Sequence, residues 1–211
     1  MMRGRFITVE GVEGAGKSTL IDALRECLEA DEREVMVTRE PGGTRLGEAL
    51  REVLLDNHQR EMVPEAELLL MFAARVQHVK ETIRPALDAG TWVICDRFTD
   101  ATYAYQGYGR RMPLAHIRYL EEWLQEDLRP DLTVLLDLPV ETGLARTDGR
   151  GGPDRFESEA DEFFERVREG YLEMARAEPE RFRQVDASRP RETVREQAGE
   201  VLRDYLAAQQ A

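Results

Sequence analysis

The residues best suited to chemistry are Gly11, Val12, Glu13, Gly14, Ala15, Gly16, Lys17, Ser18 and Thr19. They fit the phosphate-loop pattern G-x-x-x-x-G-K-[ST]. A polyphosphate has to be wrapped by backbone N–H groups, so the chain must come close and side chains must stay out of the way. Three glycines in six residues allow that approach. A helix starting at once would turn its N-terminal N–H groups and positive dipole end toward the anion. Lys17 supplies a point charge for the β/γ-phosphates, and Ser18 a hydroxyl for Mg²⁺. Glu13 is out of place among phosphate-facing amides. Repulsion should turn it toward a different group, a sugar hydroxyl or a metal-bound water.

Phosphoryl transfer asks a protein for in-line positioning and charge neutralisation, which the planar fork of arginine serves well. Arg97 follows the third strand-like run in the charged turn Asp96-Arg97, and Arg39 sits in a second charged turn. Arg146, Arg150 and Arg155 flank or enter a loop with Gly149, Gly151 and Gly152, which reads as a lid over about 146–156. Arg155 reads equally well as a structural partner of Asp154 or Glu157. Asp96 and Asp137 both end apolar runs, where a carboxylate can hold Mg²⁺ through water or simply cap a turn. Phe72 and Arg75 share a helix face and suit a base, by stacking and by donation to a carbonyl oxygen. The bland alternative is a core Phe and a surface Arg. Thr102, Tyr103, Tyr105, Gln106 and Tyr108 crowd the segment after Asp96-Arg97. His58, His78 and His116 match no metal or triad spacing.

These residues need a scaffold, and the pattern of the chain supplies one. Arg5–Glu10, Glu34–Thr38, Thr91–Cys95, Asp131–Asp137 and Phe182–Val185 read as strands. Between them, Leu20, Ile21, Leu24 and Leu28 mark a helix, and Thr44 caps another running to about Asp56. A long helix opens at Pro64 and stops at Gly90, with Leu68, Leu69, Phe72, Val76, Val79, Ile83 and Leu87 inward and a kink at Pro85. Pro113–Glu126, Val140–Arg146, Ser158–Ala177 and Pro190–Ala208 complete the helices. Strands alternating with helices predict an α/β fold: a three-layer P-loop NTPase-type parallel sheet with helices on both faces. Ligands bind such sheets beyond the strand carboxyl ends, where the charged turns gather.

The 211 residues fit one domain, and 42% apolar content argues against disorder. A net charge of −13 argues against a general nucleic-acid binder. Of 29 basic residues only Lys17 and Lys80 are lysine, so the loop lysine is not one of many surface charges. Glu81-Thr82 follow Lys80, which leaves no Asn/Thr-Lys-x-Asp guanine motif and excludes a GTP switch protein. Cys27 and Cys95 have no metal or redox spacing and read as free thiols. With no signal-like start and no apolar run longer than Leu68–Ala74, the expectation is a cytoplasmic protein without a membrane partner. The acidic surface also suits a salty cytoplasm, which predicts stability that holds or rises toward molar salt.

Four further stretches carry a family likeness: Thr38-Arg39-Glu40-Pro41-Gly42-Gly43-Thr44, Asp96-Arg97-Phe98, Tyr105-Gln106-Gly107 and Arg129-Pro130-Asp131-Leu132-Thr133. With the phosphate loop, and in this order, they resemble thymidylate kinases over nearly the whole chain. The resemblance implies a nucleoside monophosphate kinase fold, ATP and dTMP as substrates, Mg²⁺ as cofactor, and a homodimer built through the helix from Pro64. It implies that Glu13 faces the sugar and phosphate of dTMP, Arg97 its phosphate and Arg75 its thymine. Tyr105 and Gln106 would line the same pocket. It also implies that the arginine absent from the loop at Gly14 comes from the lid, through Arg146 and Arg150. Three positions depart from the family's habits: Ala101 replaces a serine, Met71 stands where the stacking phenylalanine often is, and Asp148 sits where a basic residue is common. Another nucleotide or nucleoside kinase of this fold, or a non-catalytic nucleotide-binding regulator, remains the alternative.

Overall fold

The computed structural model describes residues 3–59, 61–147 and 154–209. Five strands form one parallel sheet in the order β2-β3-β1-β4-β5: β1 (Phe6–Glu10), β2 (Val35–Arg39), β3 (Trp92–Asp96), β4 (Leu132–Asp137) and β5 (Phe182–Asp186). The first, third and fourth are apolar runs because both sheet faces are covered. Ile7 and Val9 point to one face, with Leu132, Val134 and Leu136 beside them. There α1 (Lys17–Ala30) and α9 (Arg191–Ala208) close the core through Leu20, Leu24, Leu28, Ala198 and Leu202. Phe6, Val93 and Cys95 point to the other face and meet Val79, Ile83 and Leu87. Further along that side, α8 (Asp161–Ala177) packs Phe163, Phe164, Val167 and Tyr171 against Leu135 and Phe182. Helices on both faces of a parallel sheet make the expected three layers.

The remaining helices are α2 (Arg45–Leu55), α3 (Pro64–His78), α4 (Arg84–Ala89), α5 (Thr99–Thr102), α6 (Leu114–Gln125) and α7 (Val140–Thr147). Thr44 does cap α2, its side chain accepting from Gly47 N at 2.9 Å. The long helix ends at Gly90 as expected, in a left-handed conformation at φ 94°. It is not one α-helix, however: a π-helical stretch, Val79–Ile83, joins α3 to α4. The widened turn lies just ahead of Pro85, which has no N–H to continue an α ladder. Leu69, expected inward, is 58% exposed.

A second π-helical segment, Tyr103–Gly109, extends α5. Its apolar residues follow no 3.6-residue period, so the sequence pattern does not reveal it. Two glycines seat it on α8. A Cβ on Gly109 would meet the Phe163 ring at 2.6 Å, and one on Gly170 would meet the Tyr108 ring at 2.5 Å. Cys95 is buried and Cys27 partly buried, both free thiols. No helix among the described residues is long and apolar enough to cross a membrane.

Candidate active site

The phosphate loop leaves β1 at Glu10 and enters α1 at Lys17. Gly11, Gly14 and Gly16 all take positive φ, at 144°, 69° and 89°. Gly14 is further constrained by α7, because a Cβ there would sit 2.0 Å from the Gly143 carbonyl oxygen. Helix α1 has no side-chain cap, so no side chain competes with an anion for its N-terminal N–H groups. Ser18 is exposed in that first turn. Lys17 Nζ donates to the carbonyls of Gly11 and Val12 at 3.2 and 3.1 Å. Burial, then Arg97, lowers its pKa against the pull of Asp96, Glu13 and Glu10.

Beside the loop opens a cleft of about 420 Å³. Glu13, Lys17, Asp96, Arg97, Thr102, Tyr105 and Gln106, all named from the sequence, line it. Arg97 follows β3 in a left-handed conformation, φ 67°, unusual for a residue with a side chain. Its Nη2 donates to Glu13 at 2.9 Å and Nη1 to the Tyr171 hydroxyl at 3.4 Å. The guanidinium lies 4.8 Å from the Tyr105 ring centre. Burial works against the Arg97 charge, but Tyr105, Glu13, Tyr171 and Asp96 outweigh it and raise the pKa. Tyr105 donates its hydroxyl to both Glu13 oxygens, at 2.8 and 2.7 Å. Glu13 is thereby held between Arg97 and Tyr105 in the lining of the cleft.

Below this set lies Glu10, fully buried at the end of β1. It accepts from Phe98 N at 2.7 Å and from the Tyr171 hydroxyl at 2.8 Å. These bonds hold the Asp96-Arg97-Phe98 turn from beneath. Burial, reinforced by Asp100, pushes the Glu10 pKa up to about 8.

Arg75 is 2% exposed, its guanidinium almost fully engaged. Nε donates to Glu40 at 2.6 Å, and Nη2 to the Phe98 carbonyl and Thr102 Oγ1 at 3.1 and 2.9 Å. Nη1 is buried without a partner, and the residue lines the cleft. Buried donors are rarely left idle, so Nη1 is the natural contact for a ligand oxygen. Glu40 also faces His78 Nδ1 at 3.0 Å.

Asp96 Oδ1 is likewise buried without a partner. Asp137, its rival as a metal carboxylate, is occupied bidentately by Arg168 at 2.7 and 3.1 Å. No cluster of three or more His, Cys, Asp or Glu suited to a metal occurs among the described residues.

Several placements correct the sequence reading. Phe72 is 1% exposed and packs with Leu68, Met112 and Ile117, while its neighbour Met71 lines the cleft. The Phe72 ring supports Arg75 from the side, 4.9 Å from its guanidinium carbon. Arg39 is half-exposed, paired with Glu48 at 2.9 Å, and outside the cleft lining. Arg51 lines the cleft in its place, donating Nη1 to the Pro41 carbonyl at 2.9 Å. Arg51 stands seven residues after the cap Thr44, two turns along the same helix face, a signal available in the sequence. Arg155 pairs with Glu67 at 2.6 Å and the Leu54 carbonyl at 2.8 Å, neither of the expected partners. Arg146 reaches the Ala187 carbonyl at 3.0 Å and lies 3.5 Å from the Gly14 carbonyl, beside the loop. Arg150, most of the expected lid and Asp148 lie outside the described residues.

A phosphate loop opening into a second, base-sized cleft on a 2-3-1-4-5 parallel sheet defines a P-loop kinase of the nucleoside monophosphate class. The family model described as thymidylate kinase matches residues 9–198. The chain is 58% identical over 195 residues to thymidylate kinase of Alkalilimnicola ehrlichii, covering 92% of this chain and 90% of that one. Thymidylate kinase of Methylococcus capsulatus is 59% identical over 190 residues, with 90% of each chain covered. The crystal structure of thymidylate kinase from Ehrlichia chaffeensis superposes with a TM-score of 0.76 at 33% identity, over 95% of this chain and 99% of the other. The chain belongs to the thymidylate kinase family.

Proposed function

We propose that this enzyme moves the γ-phosphoryl group of ATP onto dTMP, giving ADP and dTDP. The observation that carries the reading is one cleft that joins the phosphate loop at Glu13, Gly14 and Lys17 to the unpartnered Nη1 of Arg75. A donor site and a base-reading site share a single opening, which a nucleotide-binding regulator would not require.

The loop amides of residues 11–19 and the start of α1 hold the ATP phosphates. Lys17 exchanges its two loop carbonyls for phosphate oxygens. Arg97 takes the dTMP phosphate, an oxygen of which attacks the γ-phosphorus as the bond to the β-phosphate oxygen breaks. Glu13 keeps Arg97 and Tyr105 in place and faces the sugar. Thr102, Tyr105 and Gln106 line the acceptor pocket, and Arg75 reads the base. Met71, rather than Phe72, lies against its face. Arg146 and the lid residue Arg150 supply the positive charge that the loop lacks at Gly14. Ser18 and Asp96 suit Mg²⁺: one is an exposed hydroxyl in the first turn of α1, the other a carboxylate with an idle buried oxygen. When bound, the ion neutralises phosphate charge. We read residues 1–211 as one domain with a lid over about 146–156, acting in the cytoplasm as a homodimer.

Initial rates with ATP and dTMP, dUMP, dCMP or AMP test the reading, with dTMP preferred; no preference for dTMP would sink it. Replacing Lys17 with alanine should lower kcat by about 10²–10³ or more, the scale for one preorganised charge at a transition state. Retained turnover would refute its role.

A further inference from the structure

Glu67 lies in the first turn of α3 and is 1% exposed. It lines no part of the cleft. Its Oε2 pairs with Arg155 at 2.6 Å and Arg110 at 3.2 Å, and its Oε1 accepts from Gln106 Nε2 at 2.8 Å. A carboxylate facing two guanidiniums offers acceptors only. The amide of Gln106 therefore has one orientation beside Glu67, nitrogen toward the carboxylate. Its carbonyl oxygen is left for the cleft, which Gln106 lines.

The same cleft holds Arg75 Nη1, a donor with no protein partner. One donor and one acceptor match the adjacent C=O and N–H of a pyrimidine-2,4-dione. A 4-aminopyrimidine presents the reverse, an amino group to the arginine and a lone pair to the carbonyl oxygen. We propose that Glu67 is a specificity-determining positioning residue: by fixing the Gln106 amide it makes the pocket accept thymine or uracil and reject cytosine. This rests on the acceptor reading above and adds to it the group that sets the pocket's polarity.

Replacing Glu67 with glutamine puts a side chain there that can donate or accept, so the Gln106 amide can turn over. Removing one member of a buried ion cluster endangers the fold. The double variant Glu67→Gln/Arg110→Gln removes a charge together with a partner and guards against that failure. The readout is the ratio of kcat/KM for dTMP to that for dCMP. Sites built to hydrogen-bond one partner reject mismatched analogues by about 10⁴–10⁵. The ratio should fall by at least about tenfold in both variants, chiefly through KM, since the reacting phosphates are not touched. Arg110→Gln alone should lower the Tm and leave the ratio in place, which separates positioning from general support. If either Glu67 variant folds and keeps the wild-type ratio, the proposal fails. Wild-type enzyme that does not use dTMP would instead overturn the functional reading itself.

Discussion

Glu10 illustrates how much the site depends on groups that never touch a substrate. Its carboxyl is buried between Phe98 N and the Tyr171 hydroxyl, where burial and the charge of Asp100 outweigh the opposing pull of Arg97. Raising its folded pKa from 4.5 to about 8 means that the native state keeps a proton the unfolded chain has lost. Between those values the unfolded state binds fewer protons, so stability falls as pH rises and levels off above about 8. Each unit of difference is worth about 1.4 kcal/mol. Glu10→Gln removes this titration while keeping the shape. The Tm of wild type minus that of the variant should decline from pH 5 to pH 9 and flatten beyond. A difference independent of pH would show that Glu10 is ionised throughout.

At the scale of elements, the phosphate loop and α7 are fitted backbone to backbone. A Cβ on Gly143 would come within 2.4 Å of the Glu13 carbonyl oxygen, the counterpart of the Gly14 contact. Carbonyls cannot rotate aside like flexible side chains, so an arginine cannot simply be added to the loop here. Gly14→Arg should lower both Tm and kcat/KM for ATP, with a stability cost of about 1–3 kcal/mol or more from overpacking and a positive φ. Undiminished activity would show that α7 yields. Gly170 makes a second case. Helix propensity alone gives alanine an advantage of about 0.8–1.0 kcal/mol over glycine. Against the Tyr108 ring the added methyl should reverse the sign, to a net loss of about 1–2 kcal/mol in urea unfolding, because overpacking outweighs propensity. It should also raise the KM for dTMP, because the π-helical segment carries Tyr105 and Gln106.

That segment also marks the limit of what the sequence discloses. Strands β1, β3 and β4 and helices α1 and α8 follow from apolar runs and 3.6-residue spacing, and the loop motif from its glycines. The π-helical turns repeat no such period, and only their packing on α8 or their place before Pro85 explains them. Paired charges are hidden for a similar reason. Glu40 and Glu67 look like surface residues in the sequence, yet both are buried by guanidiniums from elements 35 or more residues away. Phe72 and Met71 differ by one helical position, about 100° of rotation, and spacing alone does not say which faces the cleft.

For the whole molecule, a net charge of −13 sets the terms of self-association. Two copies repel at a distance, and the repulsion is screened over about 8 Å at physiological salt. A homodimer therefore needs apolar surface to offset it. Leu46 and Val53, seven residues apart on one face of α2, are 49% and 41% exposed. Leu69 on the neighbouring α3 is 58% exposed, and Val63 at its cap 57%. These side chains break the inward pattern of their helices, as expected where a second copy covers them. Sedimentation equilibrium should give twice the mass of the chain, with tighter association at higher salt. Leu69→Glu would place a charge in a desolvated contact and should shift the protein to single chains. Its kcat should change little, because Leu69 lines no part of the cleft. A variant that stays dimeric would move the interface to another face, and a wild type that sediments as one chain would remove it.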